Sequence, residues 1–368
     1  MNAALGYGLI GCGGFGRFCL GEYKKMPELL CVAVADQDAA LAQATAERFG
    51  LEACADAEEL LARPDLAIVH LATPPGTHAA LATAALQAGK HVLCEKPLAL
   101  TVADAEQMVA LAEREKRVLA VNLIMRYNPL CAGVKRLVDR GLLGQPLYAT
   151  LMNAAQDEVL GPGHWFWDRA QSGGIFIEHG VHFFDLFEWW FGPGKVLAAQ
   201  QLGRPGTEIV DQVQCCVQYG EATLGTFYHG FHQMLRRDQQ SWRIVFEMGT
   251  LTMTEWVPTS LEIDMHGTEE GVEEVRQIFP QSSAEILEYF TNGEQQAASR
   301  HQSREVEVHA RVRATAGYPK MELYGLMLRS LMADQLQAIR KPEHVRVVSE
   351  SNGVSSLGYA VAAQGMAG

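Results

Sequence analysis

Three side chains with acid–base chemistry are spaced along one predicted helix near the middle of the chain. Glu178, His182 and Asp185 follow one another at intervals of four and three residues, so they lie on one face of a helix. The other side chains of this helix are mostly aromatic or aliphatic. An imidazole beside a carboxylate can accept a proton near neutral pH, because its ordinary pKa is about 6.5. We interpret His182 as a candidate general base and Glu178 as a catalytic residue that orients His182 or contacts the substrate, with Asp185 facing the substrate.

A second pattern, near the start of the chain, is typical of dinucleotide binding. Residues 11–16 read GCGGFG and match G-x-G-x-x-G between a predicted strand and a predicted helix. The glycines permit a tight turn and a close approach to a pyrophosphate, and the helix N-terminus stabilises its charge. An acid follows about 20 residues later, where it can bind a ribose 2′-hydroxyl. The expected cofactor contacts here are Gly11, Gly13, Gly14, Phe15, Gly16 and Asp36.

The acid at position 36 also indicates which dinucleotide binds. A carboxylate repels a 2′-phosphate, and Gln37 supplies no compensating positive charge. The sequence therefore predicts NAD and disfavours NADP. No metal is expected, because the histidines are scattered and the eight cysteines include no Cys-x-x-Cys pair.

The elements that must position these residues alternate between strand and helix in the first third of the chain. Alternation of this kind favours a parallel, doubly wound Rossmann sheet. The predicted strands are Tyr7–Cys12, Leu30–Ala35, Leu66–Ala72, His91–Cys94 and Val118–Asn122. The predicted helices are Gly14–Met26, Asp38–Phe49, Thr77–Gly89 and Thr101–Arg117.

After about residue 122 the pattern changes. Strand follows strand from Val196 to about Ile278, which predicts a large, mostly antiparallel open sheet. We expect an α/β protein with an NAD-binding Rossmann domain over 1–122 and an α+β domain over 123–368, whose last helices can pack back near the N-terminal domain. The remaining predictions are helices over Asn128–Arg140, 179–191, Met321–Ile339 and Ser351–Gln364, a strand over Gly144–Ala155, and a polar loop or short helix over Gln281–Arg304.

Composition excludes several partners. The 368 residues are 48% hydrophobic and carry a formal net charge of -13, which counts against nucleic acids and anionic membranes. No apolar run has membrane-spanning length, and the first residues lack the features of a signal peptide. We therefore expect a cytoplasmic protein that acts on a small molecule.

Further motifs identify a family. The segments ATPPGTH at 72–78, CEKP at 94–97, RYNP at 126–129 and GG…EHGVHFFD at 173–185 resemble the Gfo/Idh/MocA family of sugar and cyclitol oxidoreductases. The resemblance runs in order through the whole chain. It implies that Lys96 is the reactive lysine and that Thr73, Pro74, His78, Glu95 and Lys96 line the nicotinamide half of the cofactor. Many members carry Asp where this chain has Glu178. Assembly into a homodimer or homotetramer through the C-terminal sheet is also implied.

Candidate substrate contacts lie in three places. The loop GHWFWDR at 163–169 includes His164 and Trp165, and aromatic rings suit the C–H face of a sugar. The resemblance places Arg126 at the junction of the two domains. His179 lies on the face of the predicted helix next to His182, so we expect it in the pocket wall.

These residues predict hydride transfer between nicotinamide and a hydroxyl-bearing carbon of a sugar, sugar derivative or cyclitol. The same lysine and histidine would also serve a glycoside-cleaving enzyme that oxidises its substrate transiently and recycles the cofactor. A cofactor-sensing protein without activity is a third alternative, which an intact Lys96 and His182 disfavour.

Overall fold

Near-continuous apolar runs in the first third of the chain form the buried strands of a parallel sheet. The structure is a computed structural model that describes residues 3–157, 159–279, 281–291, 293–299 and 302–367. The six strands are β1 (Leu5–Ile10), β2 (Leu29–Ala35), β3 (Glu52–Ala53), β4 (Ile68–Leu71), β5 (His91–Cys94) and β6 (Leu119–Val121). Their order is β3-β2-β1-β4-β5-β6, and every neighbouring pair is parallel. The predicted Rossmann sheet is confirmed.

Five helices alternate with these strands. They are α1 (Gly14–Tyr23), α2 (Ala39–Phe49), α3 (Ala57–Ala62), α4 (His78–Gln87) and α5 (Val102–Glu115). Local capping explains where two of them begin, because Asp38 accepts hydrogen bonds from the first turn of α2 and Thr101 accepts one from that of α5. β3 and α3 were not predicted, because they are too short to show a period.

The later strands form a nine-stranded sheet. Its members are β7 (Pro146–Gln156), β8 (Gly194–Gly203), β9 (Val210–Tyr219), β10 (Thr223–Gln233), β11 (Gln239–Phe246), β12 (Gly249–Thr254), β13 (Ser260–Gly267), β14 (Ser282–Tyr289) and β17 (Val308–Thr315), and a separate hairpin pairs β15 (Gln296–Ala298) with β16 (Ser303–Glu305). The order in the large sheet is β14-β17-β13-β12-β11-β7-β10-β9-β8. All neighbouring pairs are antiparallel except β7 and β10, which confirms a mostly antiparallel sheet.

Six helices complete the described chain beyond the parallel sheet. They are α6 (Pro129–Arg140), α7 (Arg169–Ser172), α8 (Val181–Phe191), α9 (Glu269–Ile278), α10 (Lys320–Arg340) and α11 (Glu350–Ala367). A π-helical turn over Phe176–Gly180 leads directly into α8. None of the described helices combines the length and the apolar composition that crossing a membrane requires.

The chain divides into two units, each built from separate segments. The first contains the residues up to Ile124, Leu160–Asp185 and Gly325–Gln364. In it, Arg329 on α10 pairs with Glu22 on α1, and Arg346, between α10 and α11, donates from Nη1 to the main-chain oxygen of Leu119 on β6 at 2.9 Å. The second unit contains Met125–Val159, Leu186–Tyr324 and the chain from Gly365. The predicted contiguous domains, 1–122 and 123–368, stay a prediction.

Phe187 and Trp190 lie at the centre of the second unit. The ring of Phe187 lies 4.6 Å from that of Phe227 on β10, and the ring of Trp190 lies 6.2 Å from that of Trp242 on β11. Buried residues alternate with less buried ones along β9 and β11. One face of the sheet therefore carries the core of this unit.

Two predictions for the second unit were wrong. The region predicted as continuous strand contains α9, whose buried Val272, Val275 and Ile278 recur every third residue on one face. The polar segment Gln281–Arg304 was predicted as a loop or short helix, but its described part forms β14 and the β15–β16 hairpin. Residues 292, 300 and 301 of that segment lie outside the described residues. Since β14 is largely exposed, its sequence lacks the usual alternation of apolar and polar residues.

Packing of α6 gives a test of the second unit. A Cβ at Gly133 would lie 2.1 Å from the ring of buried Phe279. We expect Gly133→Ala to lower the unfolding free energy by about 1–3 kcal/mol, because the ring must be displaced. Gly358 on α11 has no such neighbour within 4 Å, so Gly358→Ala should stabilise by up to about 1 kcal/mol. Thermal unfolding of both variants checks this, and a Gly133→Ala protein at least as stable as wild type would contradict the packing.

Candidate active site

The glycine-rich turn joins β1 to α1, and two of its glycines are required by packing. Gly11 has φ of +100°, and a Cβ there would lie 2.4 Å from the main-chain oxygen of Ala72. A Cβ at Gly16 would lie 2.2 Å from the oxygen of Gly11. Glycine at these two positions therefore lets the turn pack closely against Ala72 after β4 and lets its own main-chain atoms approach each other.

The other two glycines of the turn face open space. A Cβ at Gly13 or Gly14 would meet no atom within 4 Å. Gly13 caps α1 without a side-chain hydrogen bond, and the first turn contains no acidic residue. Free main-chain N–H groups and the positive end of the helix dipole are thus available to an anion. Phe15, 37% exposed, lies in the same turn. This cradle fits the pyrophosphate of a dinucleotide.

Asp36 follows the end of β2 and is held by the main chain. One of its carboxylate oxygens accepts a hydrogen bond from the N–H of Cys12 at 2.6 Å, and the other accepts from Asp38 at 2.9 Å. The carboxylate is therefore fixed beside the glycine-rich turn. This is the position at which an acid can bind the adenosine ribose of NAD.

Thr73, Pro74 and His78 occupy the connection between β4 and α4. The imidazole of His78 joins this connection to the one after β5, because Nε2 lies 2.9 Å from the oxygen of Thr73 and Nδ1 lies 2.7 Å from that of Pro97. Burial lowers the pKa of His78 despite these carbonyl partners. Thr73 Oγ1 also lies 2.7 Å from Thr77 Oγ1. The loop after β4 is therefore internally bonded and tied to the segment that contains Lys96.

Lys96 and Glu178 form the central contact of the site. The ammonium of Lys96 donates to the Glu178 carboxylate at 2.5 Å and to the Glu178 main-chain oxygen at 2.8 Å. Both side chains are largely buried, with 17% and 11% of their surface exposed. Glu178 lies in the π-helical turn before α8. Glu178, which was predicted on the same helix face as His182, therefore holds Lys96, the lysine that the family resemblance predicts to be reactive.

His182 is a neutral imidazole in this setting. Only 5% of its surface is exposed. Burial holds the pKa of His182 well below 6.5, and the positive charge of Lys96 lowers it further. At neutral pH the ring is therefore unprotonated and can accept a proton.

The other predicted substrate contacts are divided between the units. In the first unit, Asp185 is buried, and the ring of half-buried His179 lies 5.3 Å from that of Phe183. The ring centres of His164 and Trp165 lie 5.3 Å apart, and Nδ1 of His164 accepts a hydrogen bond from the N–H of Phe166. Arg126 belongs to the second unit, where its guanidinium stacks 5.3 Å from the ring of Trp189.

His70 and Asn122, two polar side chains that contact the Glu95 carboxylate, were not predicted from the sequence. His70 Nε2 and Asn122 Nδ2 both lie within hydrogen-bond distance of the Glu95 carboxylate, at 3.0 and 2.7 Å. Cys19 lies close by, and among the described residues Cys19, His70 and Glu95 are the one group whose donor atoms could hold a metal ion. Burial raises the pKa of Cys19 well above 9, so without a metal ion its sulfur is a protonated thiol. The sequence feature that could have indicated this cluster is His70, a polar residue within the otherwise apolar strand β4.

The sheet order, the glycine-rich turn and the fixed Asp36 define an NAD-binding Rossmann protein. Comparison with known families is consistent with this class. Residues 5–123 match the oxidoreductase family with an NAD-binding Rossmann fold, and residues 132–252 match the GFO/IDH/MocA C-terminal domain. The chain belongs to the GFO/IDH/MocA family of oxidoreductases.

Known relatives include several dehydrogenases. D-apiose dehydrogenase of Paraburkholderia graminis is 33% identical over 193 residues, which are 52% of this chain and 51% of that protein. Myo-inositol 2-dehydrogenase of Thermotoga maritima is 27% identical over 63% of this chain and 70% of that protein. The match thus spans only about half the length of the apiose dehydrogenase. The WlbA dehydrogenase of Bordetella pertussis, solved with NADH and UDP-GlcNAcA, shares the fold with a TM-score of 0.79, 20% identity and coverage of 100% and 96%.

The glycine-rich turn gives a test of cofactor binding. A methyl group at position 13 meets no protein atom but occupies the space that a pyrophosphate must approach. Gly13→Ala should weaken NAD binding about tenfold or more, equivalent to at least about 1.4 kcal/mol, without changing the unfolding midpoint of the cofactor-free protein. Gly16→Ala should lower that midpoint as well, because its Cβ clashes with Gly11. Calorimetric titration with NAD and thermal unfolding measure both quantities. Normal affinity in Gly13→Ala would exclude this turn as the phosphate site.

Proposed function

We propose that the protein is an NAD-dependent dehydrogenase or reductase that acts on a hydroxyl-bearing carbon of a sugar, sugar derivative or cyclitol. The observation that carries this proposal is a fixed cation, Lys96, beside an uncharged base, His182. Oxidation of an alcohol needs both, because the hydroxyl proton must leave and the oxygen gains negative charge. The names of the relatives, D-apiose and myo-inositol dehydrogenases, support the substrate class.

The side chains of this chain divide the work as follows. A ring nitrogen of His182 accepts the hydroxyl proton. Lys96 has three N–H donors, of which two bond to Glu178 and the third can bond to the substrate oxygen. Glu178 fixes the direction of that third donor. Bound NAD supplies the hydride acceptor.

The remaining site residues are proposed to shape the substrate pocket. Trp165 and His164 offer adjacent ring faces to the C–H surface of a sugar. His179 and Asp185 of the first unit are proposed to bind hydroxyl groups, and Thr73, Pro74, His78 and Glu95 to line the nicotinamide half of the cofactor. Arg126, in the second unit, stays a predicted substrate contact.

Assembly through the nine-stranded sheet is part of the proposal. Tyr148 on β7 and Leu224 on β10 are register neighbours, and 40% and 44% of their surfaces are exposed. Exposed apolar side chains on neighbouring strands are suited to contact with a second copy. We propose a homodimer or homotetramer, and a cytoplasmic location as the sequence predicts.

Turnover tests the reaction and its residues together. Purified protein with NAD and a panel of sugars, cyclitols and glycosides should produce NADH with at least one sugar or cyclitol, measured at ~340 nm. His182→Gln should lower kcat about 10²–10⁴-fold and Lys96→Met about 10²–10³-fold, with NAD binding retained. His91→Gln is a control, because His91 begins β5 whereas Lys96 follows its other end. Full activity in His182→Gln would exclude it as the base.

Two other outcomes would redirect the assignment. Release of an aglycone from a glycoside in an NAD-dependent reaction without net NADH would indicate the glycoside-cleaving alternative. NAD binding without turnover on any member of the panel would contradict the sugar and cyclitol assignment.

The pH dependence of oxidation tests His182 separately. The base must be unprotonated, and burial and Lys96 hold its pKa well below 6.5. The rate constant kcat/KM should therefore persist as the pH falls through 6.5 and decline only at lower pH. In Lys96→Met the residual activity should decline at a higher pH than in wild type, because a charge that lowers the pKa is gone. An acid limb in wild type at 6.5 or above would contradict a depressed His182 pKa.

A further inference from the structure

A chain of buried polar side chains lies behind the loop that contains Lys96. Tyr7 Oη lies 2.8 Å from His70 Nδ1, and His70 Nε2 lies 3.0 Å from Glu95 Oε1. Tyr7 and His70 are completely buried, and Glu95 is 7% exposed. Asn122 donates to the same carboxylate oxygen at 2.7 Å, although its own Oδ1 is buried without a hydrogen-bond partner among the described residues. Residues on β1 and β4 and at the ends of β5 and β6 are thus linked through one carboxylate, that of Glu95.

The direction of the hydrogen bonds follows from the chemistry of the groups. Burial raises the pKa of Tyr7 well above 10, so the phenol keeps its proton. Because the Glu95 carboxylate can only accept from Nε2, Nδ1 is the nitrogen left to accept from the phenol. An imidazole that accepts at Nδ1 donates from Nε2, and Nε2 faces the Glu95 carboxylate. The edge of the Tyr23 ring, 5.8 Å away, packs against the imidazole and fixes its plane. Tyr7 therefore selects the tautomer of His70 that binds Glu95.

Glu95 precedes Lys96 in the chain, and the segment is fixed on both sides of the lysine. On one side, the Glu95 side chain is held by His70, and its N–H donates to the oxygen of Leu71 at 2.9 Å. On the other side, His78 binds the oxygen of Pro97 at 2.7 Å. The Lys96 side chain is the long, flexible part of this arrangement, so the position of its ammonium depends on the segment from which it extends.

We propose that His70 is a positioning residue for the Lys96 ammonium: through its bond to Glu95, and with its tautomer set by Tyr7, it holds the loop after β5 in the geometry the reaction requires. The inference rests on the proposed function, in which Lys96 stabilises charge on the substrate oxygen. Displacement of a reacting group by about 1 Å can cost up to ~100-fold in rate without loss of binding. His70 therefore acts on kcat and not on substrate affinity.

A matched pair of substitutions separates this role from simple packing. The amide of His70→Gln can still donate to Glu95, whereas His70→Leu has no donor and a similar volume. We expect kcat of His70→Leu to fall about tenfold with KM for the best panel substrate within about twofold of wild type, and His70→Gln to recover most of the loss. Equal activity of His70→Leu and wild type would overturn the proposal. So would equal losses in both variants that parallel their unfolding midpoints.

Tyr7→Phe keeps the test informative if His70→Leu does not fold. It removes one buried oxygen and leaves the ring, so His70 loses the group that selects its tautomer. We expect kcat to fall about two- to fivefold with KM unchanged, since part of the His70 population then presents the wrong nitrogen to Glu95. Wild-type kcat in a folded Tyr7→Phe protein would overturn the role of this chain.

Two measurements distinguish this inference from its alternatives. If the wild-type protein turns over no panel substrate, the proposed function fails and takes the inference with it. If Lys96→Met retains wild-type turnover, the proposed role of Lys96 fails, and the inference with it; if Lys96→Met is inactive but His70→Leu is normal, only the inference fails. Elemental analysis of the purified protein tests whether Cys19, His70 and Glu95 instead bind a metal ion. A stoichiometric metal ion, lost in Cys19→Ser, would mean that Cys19, His70 and Glu95 are ligands and would overturn the hydrogen-bonded arrangement.

Discussion

A lysine ammonium from which most water is excluded requires negative partners, and in this protein one residue supplies two of them. Glu178 offers its carboxylate and its main-chain oxygen to Lys96 at 2.5 and 2.8 Å. Without such partners, burying the charge would cost several kcal/mol. The same pairing places a positive charge near His182, where it adds to burial in lowering the pKa of that imidazole. The proposed chemistry thus depends on one ion pair between the loop after β5 and the turn before α8.

The form of that turn contributes to the contact. In an α-helix each carbonyl oxygen accepts from the N–H four residues further along the chain. The π-helical turn over Phe176–Gly180 disturbs this pattern at the point where the oxygen of Glu178 accepts from Lys96. Such turns are rare and concentrate at functional positions. The other site residues follow strands of the parallel sheet. Strands β1, β2, β4 and β5 end at one edge of the sheet. Their ends are followed, in that order, by the glycine-rich turn, Asp36, Thr73 and Lys96.

Much of this arrangement could be predicted from the sequence. Buried parallel strands are nearly continuous apolar runs, and most are followed by a helix with a clear period. The parallel sheet and its glycine-rich turn could therefore be predicted. His182 could be proposed as the base because three polar residues share one helix face among aromatic residues. The start of α9 also carried a signal that was overlooked: Thr268 caps it, and two glutamates follow.

Other features have no local signal. The contact between Lys96 and Glu178 joins residues 82 positions apart, and Glu178 was expected to orient His182 or to contact the substrate. Strand β14 is exposed along most of its length, so no face of it is marked by apolar residues. The bonds of Tyr7, His70 and Asn122 to one another and to Glu95 depend on the order of strands in the sheet, and single residues within apolar strands do not reveal it.

The discontinuity of the first unit has a consequence for the order in which the protein is made. A ribosome delivers β1 to β6 early, and a parallel sheet with its helices can begin to form as this segment emerges. The partner of Lys96 arrives 82 residues later, and the segment Gly325–Gln364, which includes the Arg329 that pairs with Glu22, arrives at the end of synthesis. During translation the nascent sheet therefore displays apolar surface that its last helices have not yet covered, and this is the stage at which chaperones would have most to protect.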